Sequence, residues 1–289
     1  MRWAEIRVET TAQAQDAVAN LMMENGCGGT AIQGDAPVIV SCYLPVDDQL
    51  EQRLLRMESG IKDLPKFGIT IGSGDITITY AEEQDWAEAW KQFFQTIRVG
   101  ERIVIKPVWE KFEAEQSDII IEIDPGMAFG TGTHATTQLC LRALEKYIKP
   151  RQVLVDFGTG SGILAIAAAK LEASLVIAFD CDDVAVRAAR SNIQLNDMEE
   201  RIEVHRAESP AFVNIEADLV TANIITETIT AHAEMIAGIL KLGGSLIASG
   251  ITTAKALEVE QALRNAGFDI AETLSEGEWV AIVARKGSR

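Results

Sequence analysis

The chain has 289 residues, of which 47% are hydrophobic and 24% charged, a balance typical of a folded globular protein rather than a disordered one. Its formal net charge of −17 argues against direct nucleic-acid binding, which draws on basic patches, and favours a basic protein partner; solubility alone also explains such acidity. No run of about 18 or more uncharged apolar residues is present, which excludes a membrane-spanning helix by length, and the charged start is unlike a signal peptide.

Residues 1–81 contain segments with strand and helix periodicity in the order β-α-β-β-α-β. This order predicts a small ferredoxin-like α+β domain. The region has no histidine. We therefore interpret it as a domain that binds or positions a substrate rather than one that performs chemistry.

The stretch EEQDWAEAWKQFFQTIRVG, residues 82–100, predicts a linking helix. Trp86, Trp90, Phe93 and Phe94 recur at helical spacing and form one aromatic stripe. Such a stripe is more often a packing surface than a ligand site. The helix is thus expected to dock on one or both domains.

Residues 101–289 alternate apolar strands with helices, which predicts a doubly wound α/β domain with helices on both faces of a mostly parallel sheet. The tail reads DIAETLSEG and then EWVAIVARK, two strands separated by a glycine turn. It predicts an antiparallel hairpin at one edge of that sheet.

The turn DFGTGSG, residues 156–162, follows an apolar strand and precedes a helix. The dinucleotide fingerprint G-x-G-x-x-G is broken, because Ile163 stands where the last glycine belongs, and the lysine of a phosphate-binding P-loop is missing. Asp156 followed by Gly158, Gly160 and Gly162 instead resembles the S-adenosylmethionine motif of class I methyltransferases. Because its three glycines have no side chains, the turn lets a ligand approach the backbone closely.

Two polar residues each end an apolar strand. Asp180 closes SLVIAFD, where a carboxylate can accept both ribose hydroxyls of a nucleoside. Asn223 closes DLVTANI, and two interpretations are open for it. It caps the next helix, or its side-chain oxygen accepts a hydrogen bond from a target amine, as the corresponding residue does in amino-directed methyltransferases.

Another glycine-rich loop, DPGMAFGTGTHATT at residues 124–137, is the first of the two in chain order and lies one helix before the first core strand. Phe129 could shield a sulfonium with its ring face, and Thr136 or Thr137 could hydrogen-bond the methionine end of the cofactor. His134 is its only histidine, and no spacing suits a metal. Cys27, Cys42, Cys140 and Cys181 are scattered, which predicts reduced thiols in a cytoplasmic protein and no zinc site.

These loops, the ANI triplet at Asn223, the segment DWAEAWKQFF and the terminal EWVAIVARK together resemble the ribosomal protein L-eleven methyltransferase family (PrmA) over essentially the whole chain. The resemblance implies a seven-stranded class I methyltransferase domain with an antiparallel edge strand, preceded by a substrate-recognition domain. It also implies S-adenosylmethionine as methyl donor and cofactor contacts at Thr136, Gly158, Asp180 and Asn223.

The implied reaction is methylation of lysine ε-amino groups and the N-terminal α-amino group of that ribosomal protein, free or on the ribosome. It would proceed by in-line displacement, with Asn223 as the catalytic residue that orients the amine. We find no obvious general base; His205 and His232 are interpreted as structural.

Two departures from the family pattern stand out. Ala135 follows His134 where relatives usually have proline, and the asparagine motif DLVTANI continues with ITETI where relatives typically have a Leu-Ala pair. The second departure alters the wall beside the target amine. Three alternatives remain: a methyltransferase of another protein or RNA amine, a catalytically silent cofactor-binding module, and an NAD enzyme. The acidity of the chain disfavours an RNA substrate. Asn223 disfavours the silent module, and Ile163 disfavours the NAD enzyme.

Overall fold

The structure, a computed structural model, describes residues 2–27, 29–34, 36–82, 95–124 and 131–287. The chain divides into two compact units, with the division between Phe93 and Phe94. This division falls inside the predicted linker, residues 82–100. The aromatic stripe of that linker lies outside the described residues, while its last part, Ile97–Val99, is a strand rather than helix.

The first unit has the element order expected from the sequence. Its helices and strands are β1 (Arg2–Thr10), α1 (Gln15–Glu24), β2 (Thr30–Gln33), β3 (Val38–Pro45), α2 (Leu50–Asp63) and β4 (Ile76–Glu82). The sheet order is β2-β3-β1-β4, with every neighbouring pair antiparallel. Alternate residues of β1 are fully buried with the inner sides of both helices, because side chains on one face of a strand recur every second residue.

The second unit contains a seven-stranded sheet in the order β10-β9-β8-β11-β12-β14-β13. Its strands are β8 (Val153–Phe157), β9 (Leu175–Asp180), β10 (Ile202–Arg206), β11 (Ala217–Asn223), β12 (Leu240–Thr252), β13 (Phe268–Glu276) and β14 (Trp279–Lys286). All neighbours are parallel except β14, which is antiparallel to both β12 and β13. The predicted fold class is confirmed, with the antiparallel strand one place in from the edge.

Helices cover both faces of this sheet. They are α3 (Ala135–Tyr147), α4 (Ile163–Lys170), α5 (Asp183–Leu195), α6 (Thr226–Ile239) and α7 (Ala256–Asn265). Successive residues of β8 enter different cores: Leu154 packs with α3, α4 and α5, and Val155 packs with α6 and α7. The near-continuous apolar strands in the sequence follow from this burial on both faces.

The strands of residues 103–123 do not join the large sheet. Instead β5 (Ile97–Val99), β6 (Ile103–Pro107) and β7 (Ile119–Ile123) form a separate three-stranded sheet in that order, with β5–β6 antiparallel and β6–β7 parallel. The sequence did not separate these strands from the main sheet, since their apolar pattern is the same. Among the described residues, no helix combines the length and the apolarity needed to traverse a bilayer.

Candidate active site

The glycine turn after β8 is left-handed at each of its glycines. The φ angles of Gly158, Gly160 and Gly162 are +73°, +53° and +85°, a region that side-chain-bearing residues rarely occupy. A Cβ atom on Gly158 would lie 2.2 Å from Cγ2 of Ile224. The backbone therefore passes close to the segment after β11, and only glycine fits at Gly158.

Asp180 is fixed at the carboxyl end of β9 by two backbone donors. Its Oδ2 accepts from the N–H of Gly160 at 3.0 Å, and its Oδ1 accepts from the N–H of Asp182 at 3.0 Å. A carboxylate oxygen has room for further donors, so both oxygens can still accept hydroxyl groups. The glycine turn and the acid predicted from different parts of the sequence thus form one hydrogen-bonded unit.

Asn223 ends β11 with half of its side chain unsatisfied. Its Nδ2 donates to Oγ1 of Thr137 at 3.3 Å, whereas its buried Oδ1 has no hydrogen-bond partner among the described residues. A buried acceptor without a donor costs about 1–3 kcal/mol. An oxygen retained at that cost indicates that a ligand donates to it.

The helix α3 brings the end of the first glycine-rich loop to the same place. His134 is its N-cap, and Nδ1 accepts from the N–H of Thr136 at 3.3 Å and lies 2.8 Å from that residue's Oγ1. The His134 ring packs edge-on against Trp279, with ring centroids 5.0 Å apart. Two segments far apart in sequence, 131–137 and the start of β14, therefore form one wall.

These parts surround an open cleft of about 760 Å³ at the carboxyl ends of the parallel strands. This is the edge where doubly wound sheets bind their ligands. The cleft is lined by His134, Thr136, Phe157, Gly158, Gly160, Asp180, Cys181, Ala207, Glu208, Asn223, Ile224, Ile225, Thr228, His232, Gly250 and Trp279. It is large enough for a nucleoside with an attached amino acid.

Five of the predicted site residues line this cleft: Thr136, Gly158, Gly160, Asp180 and Asn223. Gly162 and Thr137 lie behind the lining, where Thr137 holds the Asn223 amide and Gly162 precedes α4. Phe129 lies outside the described residues.

Asp156, predicted as a cofactor contact, is buried beneath the cleft rather than exposed to it. It accepts hydrogen bonds from the hydroxyls of Thr221 at 2.6 Å and Thr159 at 2.7 Å. Burial raises the pKa of its carboxyl to about 6, against the opposing effect of the two hydroxyl donors. The structure thus corrects the expected placement: Asp156 ties the glycine turn to β11, the strand that carries Asn223.

Sequence reasoning missed several lining residues. His232, interpreted as structural, lines the cleft, its Nδ1 2.9 Å from the carbonyl oxygen of Thr228. Gly250 could have been found from the sequence, because it is a glycine near the end of an apolar strand. In the structure it has φ +83°, and a Cβ atom built on it would lie 2.2 Å from the carbonyl oxygen of Ile224. No local signal marks Trp279, because only the antiparallel return of β14 brings it to the site.

Within the ranges that the structure describes, no three or more His, Cys, Asp or Glu side chains are grouped as metal ligands. The four cysteines are free, and only Cys181 among them is exposed.

Comparison with known proteins places this site in a family context. The family model described as "Ribosomal protein L11 methyltransferase (PrmA)" matches residues 2–287. The ribosomal protein L11 methyltransferases of Bacillus cytotoxicus and Bacillus cereus strain G9842 are each 40% identical over 310 residues, covering 99% of this chain and 99% of theirs. The crystal structure of a ribosomal protein L11 methylase from Lactobacillus delbrueckii subsp. bulgaricus matches with a TM-score of 0.63 and 35% identity, over 67% of this chain and 100% of that one.

Proposed function

The chain belongs to the ribosomal protein L11 methyltransferase family, and on this premise we propose that it transfers methyl groups from S-adenosylmethionine to amines of ribosomal protein L11. The targets are lysine ε-amino groups and the terminal α-amino group. The observation that carries the proposal is Oδ1 of Asn223 in the wall of the cleft, which has no partner within the described part of the chain. Amines are donors, and this acceptor is suited to receive one.

The residues present fit S-adenosylmethionine. Asp180 would accept the ribose hydroxyls, and the turn at Gly158 and Gly160 would admit the ligand against the backbone. Thr136, held by His134, would hydrogen-bond the methionine end. When bound, the cofactor supplies a methyl group on a sulfonium, whose leaving group is a neutral thioether.

The contribution of Asn223 is alignment. Its Oδ1 would accept one N–H of the target amine and so hold the nitrogen lone pair toward the methyl group that the cofactor would supply. The bond from Nδ2 to the hydroxyl of Thr137 leaves Oδ1 as the end of the amide that would face the amine. Held geometry of this kind accounts for a large share of many enzymatic rate accelerations.

The amine must lose a proton before it attacks. Presenting neutral lysine at pH 7 costs roughly 4–5 kcal/mol, and presenting the terminal amine costs about 1 kcal/mol. Apolar side chains in the cleft wall, Ile224, Ile225 and Trp279, lower this cost because desolvation favours the neutral amine. The terminal amine is therefore the easier target, and lysine depends more on the apolar wall.

The proposal is tested by intact-mass spectrometry of purified ribosomal protein L11, free and within large ribosomal subunits, after incubation with the enzyme and S-adenosylmethionine. We expect gains in multiples of one methyl group, abolished by Asp180→Ala. If the cofactor binds but no mass is gained on either form, the substrate assignment is wrong and the target is another protein or RNA amine.

The role of Asn223 is tested by separating turnover from cofactor binding. We expect Asn223→Ala to lower kcat by about 100-fold, with the Kd of S-adenosylhomocysteine changed by less than roughly threefold. Asn265→Ala, on the exposed end of α7, is the matched control and should leave both unchanged. Equal losses in turnover and affinity would contradict the assigned role.

A further inference from the structure

Two asparagines at the C-terminal end of α5 are buried although asparagine is usually exposed: Asn192 lies in the last turn and Asn196 is the C-cap. Asn192 is 2% exposed and Asn196 is 5% exposed, and they lie one helical turn apart on the same side of the helix. Neither lines the cleft. Buried amides of this kind need partners for both ends, and those partners indicate what the residues do.

Both asparagines bind the edge of β7 that does not pair with β6. Asn196 accepts from the N–H of Glu122 at 2.9 Å and donates to its carbonyl at 2.6 Å. Asn192 accepts from the N–H of Asp124 at 3.0 Å. The pair thus takes the place of a neighbouring strand and satisfies backbone groups that burial against α5 would otherwise leave unpaired.

Asn192 makes one bond that Asn196 lacks. Its Nδ2 donates to the carbonyl oxygen of Ser161 at 2.9 Å. Ser161 stands between Gly160 and Gly162, and the N–H of Gly160 donates to Asp180. One side chain therefore connects the start of the first glycine-rich loop, at Asp124, with the glycine turn that lies against the Asp180 carboxylate.

The glycine turn needs such support because glycine does not restrict its own backbone. Its three glycines have positive φ values, but a glycine also adopts many other conformations. Without support, the turn would lose conformational entropy when a ligand orders it, and this loss would weaken binding. A bond to the central carbonyl, made by a buried amide on a helix, removes that freedom before a ligand arrives. Preorganisation of this kind raises affinity without touching the ligand.

We propose that Asn192 is a positioning residue that preorganises the glycine turn for the cofactor. The proposal rests on the proposed function, since it names the cofactor that the turn receives. Asn196 stabilises β7 but does not contact the glycine turn, because its hydrogen bonds go only to Glu122 and to the backbone of Asn192. The two residues share helix, residue type and burial, so they form a matched pair.

The experiment compares Asn192→Leu with Asn196→Leu by calorimetric Kd for S-adenosylhomocysteine, steady-state kinetics and urea unfolding. We expect both variants to lose stability. Only Asn192→Leu should raise the Kd and the KM for S-adenosylmethionine, by roughly tenfold, the equivalent of one hydrogen bond. Its kcat at saturating cofactor should stay within about twofold of the wild-type value, because Asn223 is untouched.

A second variant covers the case in which Asn192→Leu does not fold. Asn192→Asp keeps the acceptor for the Asp124 N–H and removes the donor to Ser161, so it should show the same rise in Kd. The proposal is overturned if the Asn192 and Asn196 variants weaken cofactor binding equally, or if affinity is unchanged in both Asn192 variants. A wild-type chain that binds no S-adenosylhomocysteine would instead overturn the cofactor assignment itself.

Discussion

At the scale of single residues, Asp156 shows how a buried acid can hold a glycine turn against a neighbouring strand. Its carboxylate joins the hydroxyls of Thr159, in the glycine turn, and Thr221, in β11. The charge of nearby Asp180 adds to the effect of burial in raising its pKa, and Cys140 is the other titratable group beside it. The chain thus keeps a costly buried acid to hold two parts of the site together.

This acid makes stability depend on pH in a defined direction. Its pKa is about 6 in the folded protein and 3.8 ordinarily. Between those two pH values the folded state holds a proton that the unfolded state has released. The protonated Asp156 therefore adds to the free energy of unfolding in full below pH 3.8, and this addition is lost as pH rises through about 6. The loss over the whole range amounts to about 3 kcal/mol.

We expect Asp156→Asn to remove this dependence, because a carboxamide does not ionise. The difference in unfolding free energy between variant and wild type should shift in favour of the variant as pH rises from about 4 to about 7. Urea unfolding at closely spaced pH values measures it. A constant offset between the two curves would show that Asp156 titrates normally.

At the scale of elements, the start of α3 explains one departure from the family pattern. Ala135 is the first residue of the helix, and His134 before it is extended, with φ −74° and ψ +138°. A residue that precedes proline prefers this conformation, and proline is favoured at the first helical position. The backbone before Ala135 therefore has the geometry that suits a proline at this position.

We expect Ala135→Pro to stabilise the chain by about 0.4–1 kcal/mol, chiefly by restricting the unfolded state. The matched control is Ala256→Pro at the start of α7, where Lys255 before it is helical, with φ −99° and ψ −3°, and the Ala256 N–H bonds to the Thr253 carbonyl. That change should destabilise. Thermal unfolding of both variants decides, and a loss of stability in Ala135→Pro would contradict the local geometry.

The small sheet illustrates how far element prediction reaches. The sequence predicts strands at β6 and β7, and both are present. Their separation from the main sheet depends on side chains of a helix that begins about 60 residues later, because Asn192 and Asn196 take the edge of β7. Apolar periodicity shows that a strand is buried, but it does not show which partner buries it.

At the scale of the whole molecule, the formal net charge of −17 is the dominant feature. A field of this sign steers a basic partner toward the enzyme and repels polyanions. Its reach shortens with salt, from about 30 Å at 0.01 M to about 8 Å at 0.15 M. A protein substrate that relies on this attraction should be sensitive to ionic strength.

We expect the KM for ribosomal protein L11 to rise by roughly tenfold over that range of salt, as steered association does. The Kd of S-adenosylhomocysteine, which carries no net charge, serves as the control and should change by less than about twofold. Steady-state kinetics at several salt concentrations provide the measurement. A KM independent of salt would mean that the acidity serves solubility alone.

The sequence by itself determined the order of elements in the first unit and, apart from the strand Ile97–Val99, in the second. It also determined the doubly wound class and the polar residues at the strand ends, Asp180 and Asn223. These are local properties: hydrophobic period, glycine spacing and the residue that follows an apolar run. Family membership followed from the same motifs.

Only the tertiary structure decided which distant segments meet. It brought Trp279 and Gly250 to the cleft, buried Asp156 beneath it, connected Ser161 with Asp124 through Asn192, and left one oxygen of Asn223 without a donor. Side-chain direction and hydrogen-bond satisfaction depend on packing between segments remote in sequence, and no local pattern records that packing.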